Sequence, residues 1–118
     1  MAVAFDDGLA DRIRELVAEE RGVSEKRMFG GLAFLVNGNM AVSASGQGGL
    51  LVRVEPAQTD RLAGRAHVRR FEMRGRSMDG WLRVDDAGVR TMRQLDGWVA
   101  RGVAYARSLP PKVPKRRR

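Results

Sequence analysis

Side chains that could act in acid–base or metal chemistry are few in this sequence. Two adjacent carboxylate pairs, Asp6-Asp7 and Asp85-Asp86, have the residue types of an acid–base couple or a metal site. Each pair directly precedes a predicted helix, where a carboxylate caps free backbone amides. The only histidine, His67, has neither an orienting acid nor a nucleophile suggested by the sequence. We therefore interpret the acid pairs as helix caps and His67 as solvent-exposed, and we assign no catalytic residue and no metal ligand.

Phosphate binding is the chemistry that a cluster of arginines could support. Five arginines lie within twelve residues: Arg65, Arg69, Arg70, Arg74 and Arg76. On one strand, Arg70, Arg74 and Arg76 would share a face and could hold phosphate groups through bidentate hydrogen bonds. The alternative is a solvated face balanced by Glu72 and other acids, which the small net charge of residues 1–108 favours. Phe71 would alternate to the opposite face, which argues against an aromatic platform for single-stranded nucleic acid.

The net charge of +8 lies mainly at the C-terminal end. The last ten residues hold five of the 22 basic side chains, among them Arg116, Arg117 and Arg118, and no acid, which leaves residues 1–108 with a net charge of only +3. Three prolines between residues 110 and 114 prevent a helix there. We therefore predict one domain over 1–108 and a disordered basic tail over 109–118. This tail would either add nonspecific affinity for nucleic acid or serve only to solubilise the chain.

Two adjacent glycines follow two large apolar side chains in the run Arg27-Met28-Phe29-Gly30-Gly31. Beside Lys26, the glycine amides could form an anion-binding nest. We favour a structural role, because glycine in a strand marks a bulge or a close backbone approach, here one that turns Phe29 into the core. The loop over 46–49 lacks the lysine, the spacing and the following helix of a phosphate-binding loop. No cofactor-binding residue is assigned.

Hydrophobic periodicity predicts the elements that position these residues. Apolar residues at helical spacing predict helices over 7–21 and 56–64, and a last helix from the Asp85-Asp86 cap to residue 108. Alternation of period two predicts strands over 27–36, 39–45 and 50–55, and two short strands between 68 and 84 that meet at Asp79-Gly80. Residues 23–26 are interpreted as a connector. The order α-β-β-β-α-β-β-α predicts an α+β fold, a two-layer sandwich of a single antiparallel sheet of about five strands and a helical layer.

Four residues add expectations about packing. Trp81 and Trp98 lie in apolar periodic segments, so we expect both to anchor the core. Gly97 and Gly102 lower the helix propensity of the last helix and suggest that it packs closely against another backbone.

A tight turn at Asn37-Gly38 would fix which residues share a face of the sheet. A two-residue loop pairs Leu35 with Met40 and Ala33 with Val42, and sends the alternate apolar residues of the preceding strand to the opposite face. Both faces of the sheet then need cover. Because one helical layer covers only one face, we predict that a second copy of the chain shields the other, and hence a homodimer.

Composition excludes several classes of site. The chain has no cysteine, which rules out disulfides, thiolate zinc sites, iron–sulfur clusters and cysteine nucleophiles. Asp6 and Asp7 interrupt the N-terminal residues where a signal peptide has its apolar region. No apolar run approaches the roughly 20 residues that a helix needs to cross a bilayer. We therefore expect a cytoplasmic protein with no membrane partner.

Several landmarks together resemble the N-terminal domain of the TfoX/Sxy family, the competence-regulator-like proteins. They are Arg27-Met28-Phe29-Gly30-Gly31, Asn37-Gly38-Asn39-Met40, Leu51-Val52-Arg53-Val54 and a closing helix that carries Trp98. The resemblance covers most of residues 5–108. It implies a fold similar to that of type III secretion chaperones, a structural role for the motif residues, and neither catalytic residues nor a cofactor. It also implies a link to transcriptional coactivation, although the regulators that gave the family its name carry a second domain that we do not expect in this chain.

The sequence therefore predicts a non-enzymatic interaction domain, a regulatory adaptor in transcription that acts by protein association as a homodimer. One alternative is a nucleic-acid-associated protein that binds phosphates through Arg70, Arg74, Arg76 and the tail arginines Arg116, Arg117 and Arg118. Another is a small-molecule-binding protein or an enzyme with a pocket between sheet and helices, for which the sequence supplies no set of residues.

Overall fold

A computed structural model describes residues 5–28 and 30–112 of the chain. The three α-helices are α1 (Asp7–Leu16), α2 (Thr59–Ala63) and α3 (Met92–Ser108), and short 3-10 helices lie at Pro56–Gln58 and Asp86–Gly88. The strands are β1 (Val23–Met28), β2 (Gly31–Val36), β3 (Asn39–Ala44), β4 (Leu50–Arg53), β5 (Val68–Met73) and β6 (Arg76–Val84). All six pair antiparallel in one sheet of order β1-β2-β3-β4-β6-β5, which confirms the α+β class with a single antiparallel sheet. No helix within these residues is long and apolar enough to span a membrane.

The hydrophobic core lies between the sheet and the helices, on one face of the sheet only. Every second residue of β2 points into it, and Phe34 and Val36 are almost completely buried. Ile13 of α1 and Leu95 of α3 belong to the same cluster and have no exposed surface. Burying one such side chain contributes roughly 1.5–3 kcal/mol, so this layer supplies the main stabilisation of the fold.

The first helix is capped as predicted but ends early. The Asp6 carboxylate accepts hydrogen bonds from the backbone N–H groups of Gly8 at 2.8 Å and Leu9 at 3.2 Å. The helix ends at Leu16 instead of residue 21, because the amide of Ala18 bonds the carbonyl three residues back, which tightens and closes the last turn.

The second acid pair does not cap the last helix, so that prediction was wrong. Thr91 begins α3 with a capping box, in which its hydroxyl accepts from the Gln94 amide at 3.1 Å and the Gln94 side chain accepts from the Thr91 amide at 2.9 Å. Asp86 instead accepts from the Gly49 amide at 3.1 Å, and Asp85 forms an ion pair with Arg69 at 3.1 Å. The two carboxylates hold a loop and a strand, and the helix starts later.

The predicted strand over 27–36 is two strands. The chain reverses between Met28, the last residue of β1, and Gly31, the first residue of β2, and these two residues face each other in the hairpin. Gly30 has a φ of 76°, a left-handed conformation that glycine adopts without strain. The bulge expected at this position is therefore a turn, residues 23–26 form an edge strand instead of a connector, and the sheet has six strands. Phe29 lies outside the described residues.

The turn between β2 and β3 has two residues, as predicted, and Asn37 and Gly38 both have positive φ, at 51° and 85°. Leu35 faces Met40, as expected. The predicted pairing of Ala33 with Val42 was wrong, because a bulge in β3 shifts the register by one residue. Ala33 faces Ser43 instead.

The turn between β5 and β6 lies earlier than predicted. Arg74 and Gly75 form it with φ values of 54° and 76°, whereas Asp79-Gly80 lies inside β6. The amide of Gly80 donates a 2.7 Å hydrogen bond to the Thr59 hydroxyl of α2, which ties the strand to the helical layer.

The residues directly after α3 return to the β2–β3 turn. The amide of Lys112 donates to the carbonyl of Asn37 at 2.7 Å, and the Asn39 side chain donates to the carbonyl of Pro110 at 2.9 Å. The first part of the predicted tail thus contacts the sheet. Residues 113–118, with Arg116, Arg117 and Arg118, lie outside the described residues, and the domain boundary at 108 and the disorder of the tail stay predictions.

Candidate functional site

The face of the sheet that points away from the helices carries a groove of about 410 Å³, which we call the sheet groove. Its apolar lining residues are Met28, Met40, Leu51, Phe71, Met73, Met78 and Trp81. Its polar lining residues are Ser43, Ser45, Gln47, Glu72, Arg74 and Arg83. All of the strands except β2 contribute side chains, so the groove is a property of the assembled sheet.

The strand register explains which residues reach this face. One row of directly paired residues crosses all six strands, in the order Lys26, Ala33, Ser43, Leu51, Arg83 and Arg69. These residues alternate along their strands with core residues such as Leu50, Val52 and Leu82. The row therefore marks the uncovered face. Because apolar side chains also line the groove on this face, the prediction that apolar residues occupy both faces of the sheet is confirmed.

Methionine dominates the groove. Four of the six methionines of the chain line it, and Met73 and Met78 are 38% and 37% exposed. Methionine is unbranched and polarizable, so it adapts to partners of irregular shape. A contiguous exposed apolar surface of this kind is typical of a site where another molecule binds.

The two tryptophans have different positions, although both were predicted to anchor the core. Trp98 of α3 is 7% exposed and belongs to the core. Trp81 lines the sheet groove, with the guanidinium of Arg53 at 5.2 Å from its ring centroid, so the prediction for Trp81 was wrong. The sequence contained the signal, because alternation in Trp81-Leu82-Arg83-Val84 places Trp81 on the face of Arg83 and not on the face of Leu82.

Arg83 is a groove residue that the sequence did not single out. It is only 9% exposed, and its guanidinium donates to the Ser45 hydroxyl and to the Gln47 side-chain carbonyl, both at 3.2 Å. Both acceptors are neutral, so the positive charge at the base of the groove is hydrogen-bonded without being neutralised by them. The same contacts hold the loop after β3 against the sheet.

The arginines predicted to bind phosphate do not share one strand face. Arg70 lies in β5, Arg74 in the following turn and Arg76 at the start of β6. The Arg70 guanidinium forms ion pairs with Asp60 and Asp79 and donates to Ser77. Its charge is therefore already paired with two carboxylates. Phosphate binding by these arginines stays a prediction.

The motif residues near the two hairpins make contacts that shape the backbone. The Arg27 guanidinium lies 5.4 Å from the ring centroid of Phe5. The Asn37 amide donates to the Gly22 carbonyl at 2.9 Å. A Cβ atom on Gly31 would lie 2.4 Å from the carbonyl oxygen of Ala44, so glycine is required where β2 passes the end of β3. Within the described part of the chain, no group of three or more His, Asp or Glu residues could hold a metal ion.

Comparison with known proteins links this architecture to one family. The family model of the TfoX N-terminal domain matches residues 15–106, a range that includes the whole sheet and the greater part of α3. No curated protein and no solved structure matches the chain. The matched range contains both hairpin motifs, from Arg27 to Gly31 and from Asn37 to Met40. The chain therefore belongs to the TfoX N-terminal domain family.

Proposed function

We propose that this protein is a non-enzymatic interaction domain that associates through the sheet groove with a second copy of itself and serves as a regulatory adaptor in transcription. The single observation that carries the proposal is the sheet groove, an apolar, methionine-rich surface on the face that no helix covers. The TfoX N-terminal domain is not a known enzyme family, which agrees with this function.

The charges on the groove favour a second copy as the occupant. In a two-fold symmetric interface the same patch packs against itself, so the patch has to be self-complementary in charge as well as in shape. The groove carries Glu72 and Arg74 next to its exposed methionines, and both charges are exposed. Arg83 adds a buried positive charge at the base of the groove, so the groove carries both signs and can pair with its own copy, whereas a patch of one sign repels it.

The edges of the sheet are less suitable for association. The edge strand β1 presents the consecutive charged residues Glu25, Lys26 and Arg27, and the edge strand β5 presents Arg69 and Glu72 as exposed residues. Charged side chains on an edge strand oppose the addition of a further strand. Association across the face is therefore favoured over extension of the sheet.

Two methionines with equal exposure provide the test. Met78 in the groove and Met92 at the start of α3 are both 37% exposed, so Met78→Glu and Met92→Glu add the same charge at equally accessible sites. We expect light scattering at micromolar concentration to give the mass of a dimer for the wild type and Met92→Glu, and of a monomer for Met78→Glu. A monomeric wild type, or two variants that behave alike, would contradict association through the groove.

The role in transcription needs a separate readout. Wild-type and Met78→Glu proteins serve as baits in a pull-down from native lysate, with Met92→Glu as the control. Recovery of RNA polymerase or of a DNA-binding regulator with the wild type and the control supports the adaptor role. Recovery of neither, from proteins whose dimeric state has been established, contradicts that role while leaving the dimer intact.

A further inference from the structure

A second cavity, of about 450 Å³, lies on the helical side of the molecule. The residues before β5, Gly88 at the end of the second 3-10 helix and one face of α3 enclose it. We call it the arginine cleft and define it by Arg65, His67, Arg93, Gln94, Trp98 and Arg101. Its volume falls within the range of about 300–1,000 Å³ that small-molecule sites occupy.

The charge of the arginine cleft is of one sign. Three guanidinium groups line it, and the described residues that enclose it include no Asp and no Glu. In the part of the chain that the structure describes, Arg65, Arg93 and Arg101 form no ion pair, whereas Arg14, Arg69, Arg70 and Arg107 do. Three unneutralised cations around one concavity attract an anion, because the low-dielectric walls strengthen the field inside.

Trp98 holds two of the three guanidinium groups in place. The centroid of its ring lies 5.1 Å from the Arg65 guanidinium carbon and 5.6 Å from that of Arg101. Stacking on an aromatic ring restrains a guanidinium while its N–H groups remain able to donate in its own plane. Because Trp98 is itself fixed in the core, the cleft is organised before any ligand enters.

Arg101, which lines the cleft, has one buried donor without an acceptor. The Nε of Arg101 is shielded from solvent and has no hydrogen-bond partner among the described residues. A buried donor without a partner is unusual in a folded protein, because it has given up its hydrogen bond to water. The guanidinium of Arg101 is therefore not fully satisfied by protein acceptors, which agrees with an anion as its partner.

His67 completes the cleft from the side of β5. It is exposed and has a φ of 68°, a left-handed conformation that costs energy for a residue with a side chain. Gly88 makes room for it, since a Cβ atom on residue 88 would lie 3.0 Å from the Cβ of His67. This conformation places the imidazole, a hydrogen-bond donor, at the same cavity as the arginines.

We propose that the arginine cleft binds a small molecule that carries one or two phosphate groups. Guanidinium groups that come from three positions around a cavity suit a tetrahedral oxyanion, whose oxygens point in several directions, better than a planar carboxylate. Duplex nucleic acid fits less well, because Arg101 is partly buried, and a phosphate backbone that rests on the surface reaches it less readily than it reaches the exposed Arg65 and Arg93. The proposal is independent of association through the sheet groove, which lies on the other face of the sheet.

Calorimetry on the full chain tests the proposal with inorganic phosphate and inorganic pyrophosphate as probes, against chloride at equal ionic strength. We expect saturable binding, tighter for pyrophosphate, and a loss of affinity of at least about tenfold in Arg93→Gln, since removal of a charged hydrogen-bond donor has an effect of this order. Arg61→Gln, an exposed arginine of α2 outside the cleft, is the matched control and should bind as the wild type does. Circular dichroism shows whether each variant is folded.

Tryptophan emission gives a second readout at the site itself. The chain has two tryptophans, so Trp81→Phe leaves Trp98 as the single reporter in the cleft. We expect pyrophosphate to change this emission with the same midpoint as in calorimetry. Absence of saturable binding at millimolar phosphate and pyrophosphate would overturn the proposal, and so would equal binding of malonate. Binding of a duplex that Arg93→Gln weakens, without any binding of pyrophosphate, would assign the cleft to nucleic acid and likewise refute it.

Discussion

Gly102 in α3 lies directly against the carbonyl oxygen of Ala41 in β3, and a Cβ atom on residue 102 would lie only 2.6 Å from that oxygen. The same atom would lie 2.9 Å from Cγ1 of Val42. The bulge that shifts the register of β3 occurs at this point, so the last helix and the sheet meet backbone to backbone. The close packing expected of Gly102 is confirmed, whereas the same expectation for Gly97 was wrong, because a Cβ atom there would meet nothing within 4 Å.

Gly102→Ala should therefore destabilise the protein despite the higher helix propensity of alanine. Overpacking of a core typically costs about 1–3 kcal/mol, which exceeds the roughly 0.5–1 kcal/mol that replacing a helical glycine returns. Gly97→Ala is the matched control, because a Cβ atom there meets nothing within 4 Å and the same helix carries it. Urea unfolding should show a loss of stability for the first and a gain for the second. Equal changes in both would refute the close contact.

The sequence predicted correctly those features whose structure is decided by residues close together in the chain. The cap at Asp6, the two-residue turn at Asn37-Gly38 and the packing of Gly102 each depend on chemistry within a few residues. The edge strand β1 was missed because its residues 24–27 are all exposed, so no apolar alternation marks it. The turn at Arg74-Gly75 was misplaced because Asp-Gly is the stronger turn signal, and only pairing of β6 with β4 excludes a turn there.

The candidate sites were less predictable than the fold, because they combine residues that are distant in sequence. The existence of a second apolar face followed from the hairpin, but Phe71 and Met78 could not be placed on it without the correct β5–β6 turn. The arginine cleft joins Arg65 to Arg93 and Arg101, which are far apart in sequence. No local spacing rule connects such residues, because they meet only where the residues before β5 lie against Trp98 of α3.

The two glycines of the first hairpin motif should respond differently to substitution. Gly30 needs only a left-handed backbone, since the nearest atom to a Cβ there is 4.0 Å away, so Gly30→Asn should cost less than about 1 kcal/mol. At Gly31 there is no space for a Cβ atom. Gly31→Ala should therefore lower the free energy of unfolding by about 2 kcal/mol or more, through the contact with Ala44. Thermal unfolding measured by circular dichroism compares them. If Gly30→Asn were less stable than Gly31→Ala, the left-handed backbone at Gly30, and not the close contact at Gly31, would explain why the motif contains two glycines.

Acid should weaken the link between α1 and β1. The Arg14 guanidinium donates to both carboxylate oxygens of Glu25, at 2.7 and 2.9 Å, and this hydrogen bonding lowers the pKa of Glu25 below its ordinary value of 4.5. The folded protein therefore takes up this proton at lower pH than the unfolded chain, so the stabilisation is complete above the ordinary pKa and is lost as pH falls through the folded value.

Glu25→Gln isolates this effect. The free energy of unfolding of the wild type, measured by urea titration, should fall more steeply than that of the variant as pH decreases below about 5. The difference will be small, because both side chains are more than one-third exposed and water screens the pair. Arg14→Gln should abolish the same part of the slope. Because it also removes the ion pair with Asp11, the comparison is made on the slope and not on the stability itself. Parallel pH profiles of the wild type and Glu25→Gln would contradict the lowered pKa.

The contact between the β2–β3 turn and the residues after α3 should make Gly38→Ala sensitive to the C-terminal segment. In the chain that ends at Ser108, the substitution costs only the strain of a positive φ, about 1–2 kcal/mol. In the full chain a Cβ atom on residue 38 would also lie 1.8 Å from the Lys112 carbonyl oxygen. Displacing residues 109–112 relieves this clash, so the added cost is limited to what their two hydrogen bonds contribute, about 1–3 kcal/mol in total.

Urea unfolding of the four proteins forms a double-mutant cycle that measures this coupling. We expect Gly38→Ala to lose more stability in the full chain than in the chain that ends at Ser108. Asn39→Ala removes one of the two hydrogen bonds and should reduce the coupling without altering the turn. Additive effects of the substitution and the truncation would mean that residues 109–112 contribute no stability at the turn.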